Sequence, residues 1–148
     1  MDTFAGNNSI YLGYAGAGGA YAWGSDNVHK NITATTGQST STTWDSTPFG
    51  AFWVATNGVA TEQPHAISTT TVQSDGKMTP LPGWNAVDAG GPATPVRSCQ
   101  VIRAHRNLLW AANFIENGIA YPTRVRWSAS APTGALPATW GVQPANDA

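Results

Sequence analysis

Charge is what this sequence has least of. Seven Lys and Arg and eight Asp and Glu are spread over 148 residues, so charged side chains make up 10% of the chain, against the usual ~25%. The formal net charge of -1 supplies no electrostatic case for gripping nucleic acid or an anionic membrane. Cysteine is reduced to Cys99, which excludes an internal disulfide framework. Cys99 lies in the strand-like run Arg97-Ser98-Cys99-Gln100-Val101 and reads as a small buried hydrophobe rather than a nucleophile. Long apolar runs are missing, so no segment approaches a membrane-spanning helix and no membrane insertion is expected. Asp2 stands where a secretory leader would be basic and no apolar run follows, so no leader is expected. A sustained 3.6-residue period is missing too. Val101 to Ile115 is the one long apolar-rich window without Pro or Gly, and the one place where a helix competes with strand.

What replaces charge is Thr, Ser, Asn and Gln, together with 16 Gly, 10 Pro and 7 Trp. That mixture favours strands and tight turns. The expected class is all-β and antiparallel, in a single β-rich domain or domain fragment over 1–148. Ile10 to Tyr14 and Ala20 to Trp23 read as a hairpin around Ala15 to Gly19. Those glycines lack the G-x-G-x-x-G spacing and open no helix, which argues against a phosphate loop. Val28 to Thr33 is a third strand, and Thr35 to Thr43 a polar loop. Phe49 to Thr56 is apolar on both parities around Phe52-Trp53-Val54-Ala55 and reads as interior strand. Asn57-Gly58 is a hairpin signal and Asp75-Gly76 a turn, and His65 to Thr71 reads as a return strand. Met78 to Trp84 is broken by Pro80 and Pro82, and Asp88 to Pro95 is a Gly/Pro loop. Val96 to Ala104 and Leu108 to Asn113 are strands, the latter interior, with Asn117-Gly118 a further turn.

The run Tyr121-Pro122-Thr123-Arg124-Val125-Arg126-Trp127-Ser128 alternates. Thr123, Val125 and Trp127 share one parity and Arg124, Arg126 and Ser128 the other, the pattern of a half-buried strand with a basic outer face. Pro132, Gly134 and Pro137 then interrupt regular structure until Trp140, which suggests a sheet margin clamped by the indoles of Trp127 and Trp140.

Two passages match in order. Phe52-Trp53-Val54-Ala55-Thr56-Asn57, a loop with Gly58 and Pro64, and Ala66-Ile67-Ser68 are echoed by Leu109-Trp110-Ala111-Ala112-Asn113-Phe114, a loop with Gly118 and Pro122, and Arg126-Trp127-Ser128. The offset is 57 residues from Trp53 to Trp110 and 60 from Ser68 to Ser128. A repeat of this length suggests four-stranded propeller-like blades. The expected division is a first blade-like unit over 8–72, a second over 77–140 and a polar tail over 141–148, about two blades of an incomplete propeller.

Candidate chemistry is sparse. His29, His65 and His105 are isolated, with no metal-ligand spacing to Cys, His, Asp or Glu, and no G-x-S-x-G elbow is present. No cofactor, no metal site and no catalytic residue are expected, and the chain reads as non-enzymatic. Glu62 and Glu116 occupy matching loops of the repeat, where a hydrolase would need two carboxylates converging on a cleft; repeat equivalence explains their placement more simply. Trp53, Trp110 and Trp127 lie inside strands, where burial is the default. Trp84 and Trp140 lie beside Pro/Gly loops and are the better candidates for an exposed platform on which a sugar face stacks. Arg97, Arg103, Arg106, Arg124 and Arg126 make the second half basic.

Several of these segments, taken in order, resemble one family. Phe52-Trp53-Val54-Ala55-Thr56-Asn57-Gly58-Val59, the turn Leu81-Pro82-Gly83, and His105-Arg106-Asn107-Leu108-Leu109-Trp110 resemble segments of bacteriophage tail structural proteins of the nozzle, or tail tubular, type. So do Asn113, Glu116-Asn117-Gly118 and Tyr121 to Ser128. The likeness runs from about Tyr11 to Trp140. It implies a β-propeller-bearing, non-enzymatic virion protein in a homo-oligomeric ring of the phage tail. Its neighbours would be adaptor, portal and fibres, and it would conduct the genome during ejection, with transient passage of DNA. In such a conduit Arg103, Arg106, Arg124 and Arg126 would face DNA or a subunit interface. Family members run to several hundred residues, so the resemblance also implies that this chain is a fragment or that other chains supply further blades. The alternative reading is a carbohydrate-binding β-domain for host-receptor recognition, with Trp84 and Trp140 as its stacking residues.

Overall fold

A computed structural model describes residues 1–86 and 95–140. Most of the Gly/Pro loop expected over Asp88 to Pro95, and the tail over 141–148, lie outside the described residues. Three antiparallel sheets follow one another along the chain. Sheet A holds β1 (Asp2–Gly6), β2 (Ser9–Gly16), β3 (Gly19–Gly24) and β4 (His29–Asn31). Sheet B holds β5 (Asp45–Phe49), β6 (Phe52–Thr56), β7 (His65–Ser68) and β8 (Thr79–Pro80). Sheet C holds β9 (Arg97–His105), β10 (Leu108–Glu116) and β11 (Ile119–Trp127). Each is an up-and-down meander in sequence order. β1 lies against β5 and β6, and both of these lie against β9. The sheets are therefore stacked like blades of a fan, with B in the middle.

The all-β, antiparallel class agrees with the sequence reading, but the number and bounds of the units do not. The span 8–72 mixes strands of two sheets, because β1 and β5 went unrecognised. Both are short and polar in sequence (Asp2-Thr3-Phe4-Ala5-Gly6 and Asp45-Ser46-Thr47-Pro48-Phe49) and carry few inward apolar residues. The window Val101 to Ile115 is strand, not helix. The one helix described, α1 (Thr69–Gln73), occupies the end of the expected strand His65 to Thr71. There Ser68 takes the N-cap, its Oγ accepting from the Thr71 amide at 3.1 Å. A capping hydroxyl followed by buried Val72 outweighs the β-branched propensity of three threonines.

Hairpin chemistry sets the registers. Asn7 and Asn8 (φ 49° and 59°) join β1 to β2, and Asn117 and Gly118 (φ 49° and 81°) join β10 to β11. Both are two-residue loops in the left-handed region, which match strand twist. Gly50-Ala51 and Arg106-Asn107 join the first two strands of sheets B and C as two-residue loops in which only the first residue has positive φ (58° and 55°). Asn57-Gly58, by contrast, opens a longer loop to β7.

The sequence repeat falls on equivalent strands, β6 and β7 in one sheet and β10 and β11 in the other. Its alignment is one residue out. The closing pairs Phe49–Phe52 and His105–Leu108 make Trp53 equivalent to Leu109, not Trp110. A one-residue slip reverses the face a side chain occupies. Trp53 and Leu109 are both fully buried, while Trp110 is only half-buried.

Two cores result, one on each side of sheet B. Between A and B lie Phe4, Tyr11, Ala20, Ala22, Ile32, Trp53, Ala55, Ile67, Val72 and Met78. Between B and C lie Phe49, Val54, Ala66, Leu81, Trp84, Cys99, Ile102, Leu109, Phe114 and Trp140 among others. Alternate residues of β6 thus serve opposite cores, as its apolar character on both parities requires. The Trp53 indole presses on Gly13, where a Cβ atom would lie 2.6 Å from the ring.

The strand β11 is turned over relative to its expected orientation. Arg126 and Ser128 are buried (3% and 1% exposed), and Arg126 faces Ala111 across the ladder. The chain after β11 folds beneath this face, with Ala131 bonded to the Asn107 carbonyl and Trp140 in the core. It gives the guanidinium of Arg126 a carbonyl acceptor on Trp140 at 3.3 Å. Trp127 pairs instead with Trp110 on the opposite face (5.2 Å between centroids), so Trp127 and Trp140 do not clamp one margin.

Replacing Trp53 by Ala is expected to cost about 3–5 kcal/mol in urea unfolding, the range for deleting a large buried aromatic. A loss under 1 kcal/mol would show that the A/B interface does not depend on this ring.

Candidate functional site

Most arginines of the second half have structural partners and are not gathered on one surface. Arg97 is 1% exposed. Its Nε donates to Glu116 Oε1 at 2.6 Å and its Nη1 to the Ala86 carbonyl at 2.9 Å. Arg124 reaches the other oxygen of Glu116 at 2.7 Å and lies over the Tyr121 ring, 3.8 Å from its centroid. Arg103 pairs with Asp45, which also accepts from the Ile102 amide at 2.7 Å. Arg106 is exposed at the β9–β10 hairpin. Of the four arginines expected to line a conduit or an interface, Arg126 is internal and Arg124 is tied to Glu116. Arg103 and Arg106 are the exposed pair on β9 and its hairpin. The four do not form one basic face.

Glu62 and Glu116 are likewise occupied apart from each other. Glu62 accepts from the amide of Ser39 at 2.7 Å, from Asn57 Nδ2 at 2.5 Å and from the Ser39 hydroxyl, pinning the polar loop to sheet B. Burial opposes ionisation of Glu62, but these hydrogen bonds outweigh it and hold its carboxyl below the ordinary range. His65, beside it, is buried, and burial pushes its imidazole below the usual value against the pull of the Gln63 carbonyl and of Glu62. Cys99 is fully buried, and burial drives its thiol far above the normal range. Among the described residues no group of three or more His, Cys, Asp or Glu is placed to hold a metal, and no helix is long and apolar enough to cross a membrane.

Trp84 and Trp140 are not a platform. They are 2% and 3% exposed and meet edge to face, 4.5 Å between centroids, with Trp84 Nε1 donating to the Arg97 carbonyl at 2.8 Å. The described parts of the flanking loops pack together instead, Gly83 against Ala138 and Thr139, with Leu81 and Ala131 in the core.

The exposed aromatic residues are elsewhere, on the outer face of sheet A. Trp23 is 37% exposed, with Ile10 and Val28 more so. Cross-strand register places Thr3, Leu12, Trp23 and His29 in one row and Tyr14 beside Tyr21 in the next. Trp23 stacks near His29 (6.2 Å, 27°) and Tyr14 on Tyr21 (5.5 Å, 17°). The Tyr14 hydroxyl lies 2.6 Å from His29 Nδ1, and Trp23 Nε1 donates to Asn27 Oδ1 at 3.2 Å. Sequence reasoning missed this cluster. The signal was present in Ala20-Tyr21-Ala22-Trp23, where small and aromatic residues alternate, but alternation alone does not say which set faces the core, and here the alanines do. A second uncovered face lies on sheet C, where Val101, Trp110, Ala112, Val125 and Trp127 share the side away from sheet B. Trp110 Nε1 is buried there without a hydrogen-bond partner.

A search with protein-family models finds none that matches the chain, and a search of curated proteins finds no match.

Two outcomes follow from the polar groups. Glu116→Ala strips the carboxylate from a buried guanidinium and is expected to cost about 3–5 kcal/mol, whereas Arg106→Ala at the exposed hairpin should stay within about 0.5 kcal/mol; equal effects in denaturant titration would contradict the assignment. Acidification should act through His65. Its folded form resists protonation, so the unfolded chain takes up the proton first once pH falls below the ordinary value of 6.5. Stability is therefore complete above that pH and declines beneath it. Glu62 adds a second loss below its ordinary 4.5. His65→Gln should remove the upper stage, and a flat wild-type profile between pH 7.5 and 5 would refute it.

Proposed function

We propose that this chain is a structural component of a phage virion tail, a set of blade-like sheets within a nozzle or tail-tube ring. It would be non-enzymatic, with adaptor, portal and further copies as neighbours and the genome passing through the ring. The observation that carries this reading is the outer face of sheet C. Val101, Trp110, Ala112, Val125 and Trp127 form an apolar strip, with Arg103 and His105 toward its β9 end, yet no core cluster of the described residues includes it. On the far side of β11 no strand of the described residues pairs, where β3 and β7 hold β4 and β8. A face that continues the stack, beside an edge short of its fourth strand, suits a chain whose packing is completed by another sheet. The low surface charge fits shared surface. The segments resembling nozzle proteins, Phe52 to Val59 and His105 to Ser128, build the sheets on which this face depends.

The non-enzymatic reading draws support from the use already made of the titratable groups. Glu62 and Glu116 neutralise and pin internal partners, and Cys99 is sealed in the core.

The test is location. Gold-conjugated antibodies against the chain should label the tail of phage particles below the portal, and a reconstruction should show several copies around the axis. Detection in infected cells but not in particles, or one copy per particle, would overturn the proposal.

A further inference from the structure

We propose that the outer face of sheet A is a saccharide-binding site centred on Trp23, an inference that does not depend on the tail assignment. The two uncovered faces differ in chemistry. That of sheet C has an apolar centre, with Arg103 at its β9 end, and its Trp110 nitrogen is buried without a partner, which suits a dry contact with another sheet. That of sheet A sets its aromatic rings among polar groups and carries two shallow hollows. Trp23 lies between them. One, about 390 Å³, is lined by Met1, Leu12, Tyr14, Trp23, Asn27 and His29; the other, about 350 Å³, by Thr3, Ile10, Leu12, Trp23, Gly24 and Ser25.

An indole that borders a hollow on each side offers a flat apolar surface to the C–H face of a pyranose. The polar rim supplies what the sugar hydroxyls then need. Asn27 spends Oδ1 on the indole N–H and keeps its amide NH₂ as a donor. His29 spends Nδ1 on Tyr14, which leaves Nε2 for another partner, and Tyr14 keeps acceptor capacity on its hydroxyl. These groups are held before any ligand arrives. Asn27 occupies a turn at φ 58° with its amide bonded to the Gly24 carbonyl at 3.0 Å, and the Val28 amide bonds Asp26. A small number of fixed polar groups around an aromatic wall is the composition of a small-molecule site. The lining residues include no acidic or basic side chain apart from His29, which favours a neutral ligand. Equatorial hydroxyls leave the pyranose faces free for stacking, and equatorial β-linkages keep successive rings in a flat chain that can extend over both hollows, so the class that fits is a β-linked, gluco-configured oligosaccharide.

The experiment is titration of the intact chain with cellotetraose and with tri-N-acetylchitotriose, read by calorimetry and by saturation-transfer NMR, with maltotetraose as the α-linked comparison. At least one β-linked sugar should bind in preference to maltotetraose. Trp23→Ala should weaken it at least tenfold and Asn27→Ala several-fold, while Trp110→Phe leaves it unchanged. Trp23 is on an outer face, and thermal melts of each variant report whether the fold is intact; if Trp23→Ala unfolds, Trp23→Phe and Asn27→Ala carry the same comparison. Absence of binding at millimolar sugar, or binding indifferent to Trp23 and Asn27, overturns the proposal. So does a Trp23 substitution that changes only the sedimentation behaviour of the chain, which would make this face a protein contact. None of these outcomes bears on where the chain lies in a particle.

Discussion

Everything in this fold depends on a middle sheet that is buried on both faces. The residues of β6 alternate between two cores, Trp53 and Ala55 toward sheet A, Val54 toward sheet C. A strand of that kind cannot slip by one residue without exchanging a Trp for a Val in each core at once, so its register is fixed more tightly than that of any other strand. The neighbours are shaped by it. Gly13 is required opposite the Trp53 indole, and Ala20 and Ala22 complete a shallow inner surface on sheet A. Beneath the indole the inside of sheet A must be thin, so Leu12, Tyr14, Tyr21 and Trp23 of β2 and β3 stand together outside, while Phe4, Tyr11 and Ile32 fill the core around the ring.

That displacement explains most of what was and was not legible in the sequence. Strand class and turn positions were readable, since Asn-Gly, Gly-rich and Pro signals act locally. The repeat was readable as strands but not in register, because Trp53 and Trp110 look alike and only the hairpin closing pairs reveal that they face opposite ways. Orientation was the weakest inference. The alternation of Ala20-Tyr21-Ala22-Trp23 does not say which set faces the core, and Trp23 is exposed. Trp84 and Trp140 were expected in solvent and are core. Arg126 was expected outside and is buried. In each case the deciding partner is distant in sequence: Trp53 for sheet A, the returning loop for Arg126, and Phe114 for Trp84. Side-chain size is a good guide to burial only where the facing surface has room.

The polar interior follows a consistent rule. Buried guanidinium and carboxylate groups appear where a backbone edge or loop would otherwise be left without partners. Asp45 and Thr47 on β5 accept from the amides of Ile102 and Ala104 on β9, covering an edge that no strand of the described residues pairs with. Arg97 bonds backbone carbonyls of the segment around Trp84 while Glu116 neutralises it. A chain with so few charges thus spends several of them internally, where a mispaired edge would be costly. Its solvent face is left largely to Thr, Ser and Asn.

The short turns carry a consequence for biosynthesis. Every strand of sheet A pairs only with its neighbours in sequence, and Asn7-Asn8 and Ala17-Gly18 close its first two hairpins. A chain emerging from the ribosome can therefore complete the hydrogen-bonded ladder of sheet A from its first 31 residues. It cannot complete the core, because Phe4, Tyr11, Ala20 and Ala22 wait for an indole twenty-two positions further on. At translation speeds of roughly 5–20 residues per second that interval lasts on the order of seconds. During it a formed sheet has apolar side chains bare on both faces, and this is when a nascent chain of this design has most need of a chaperone.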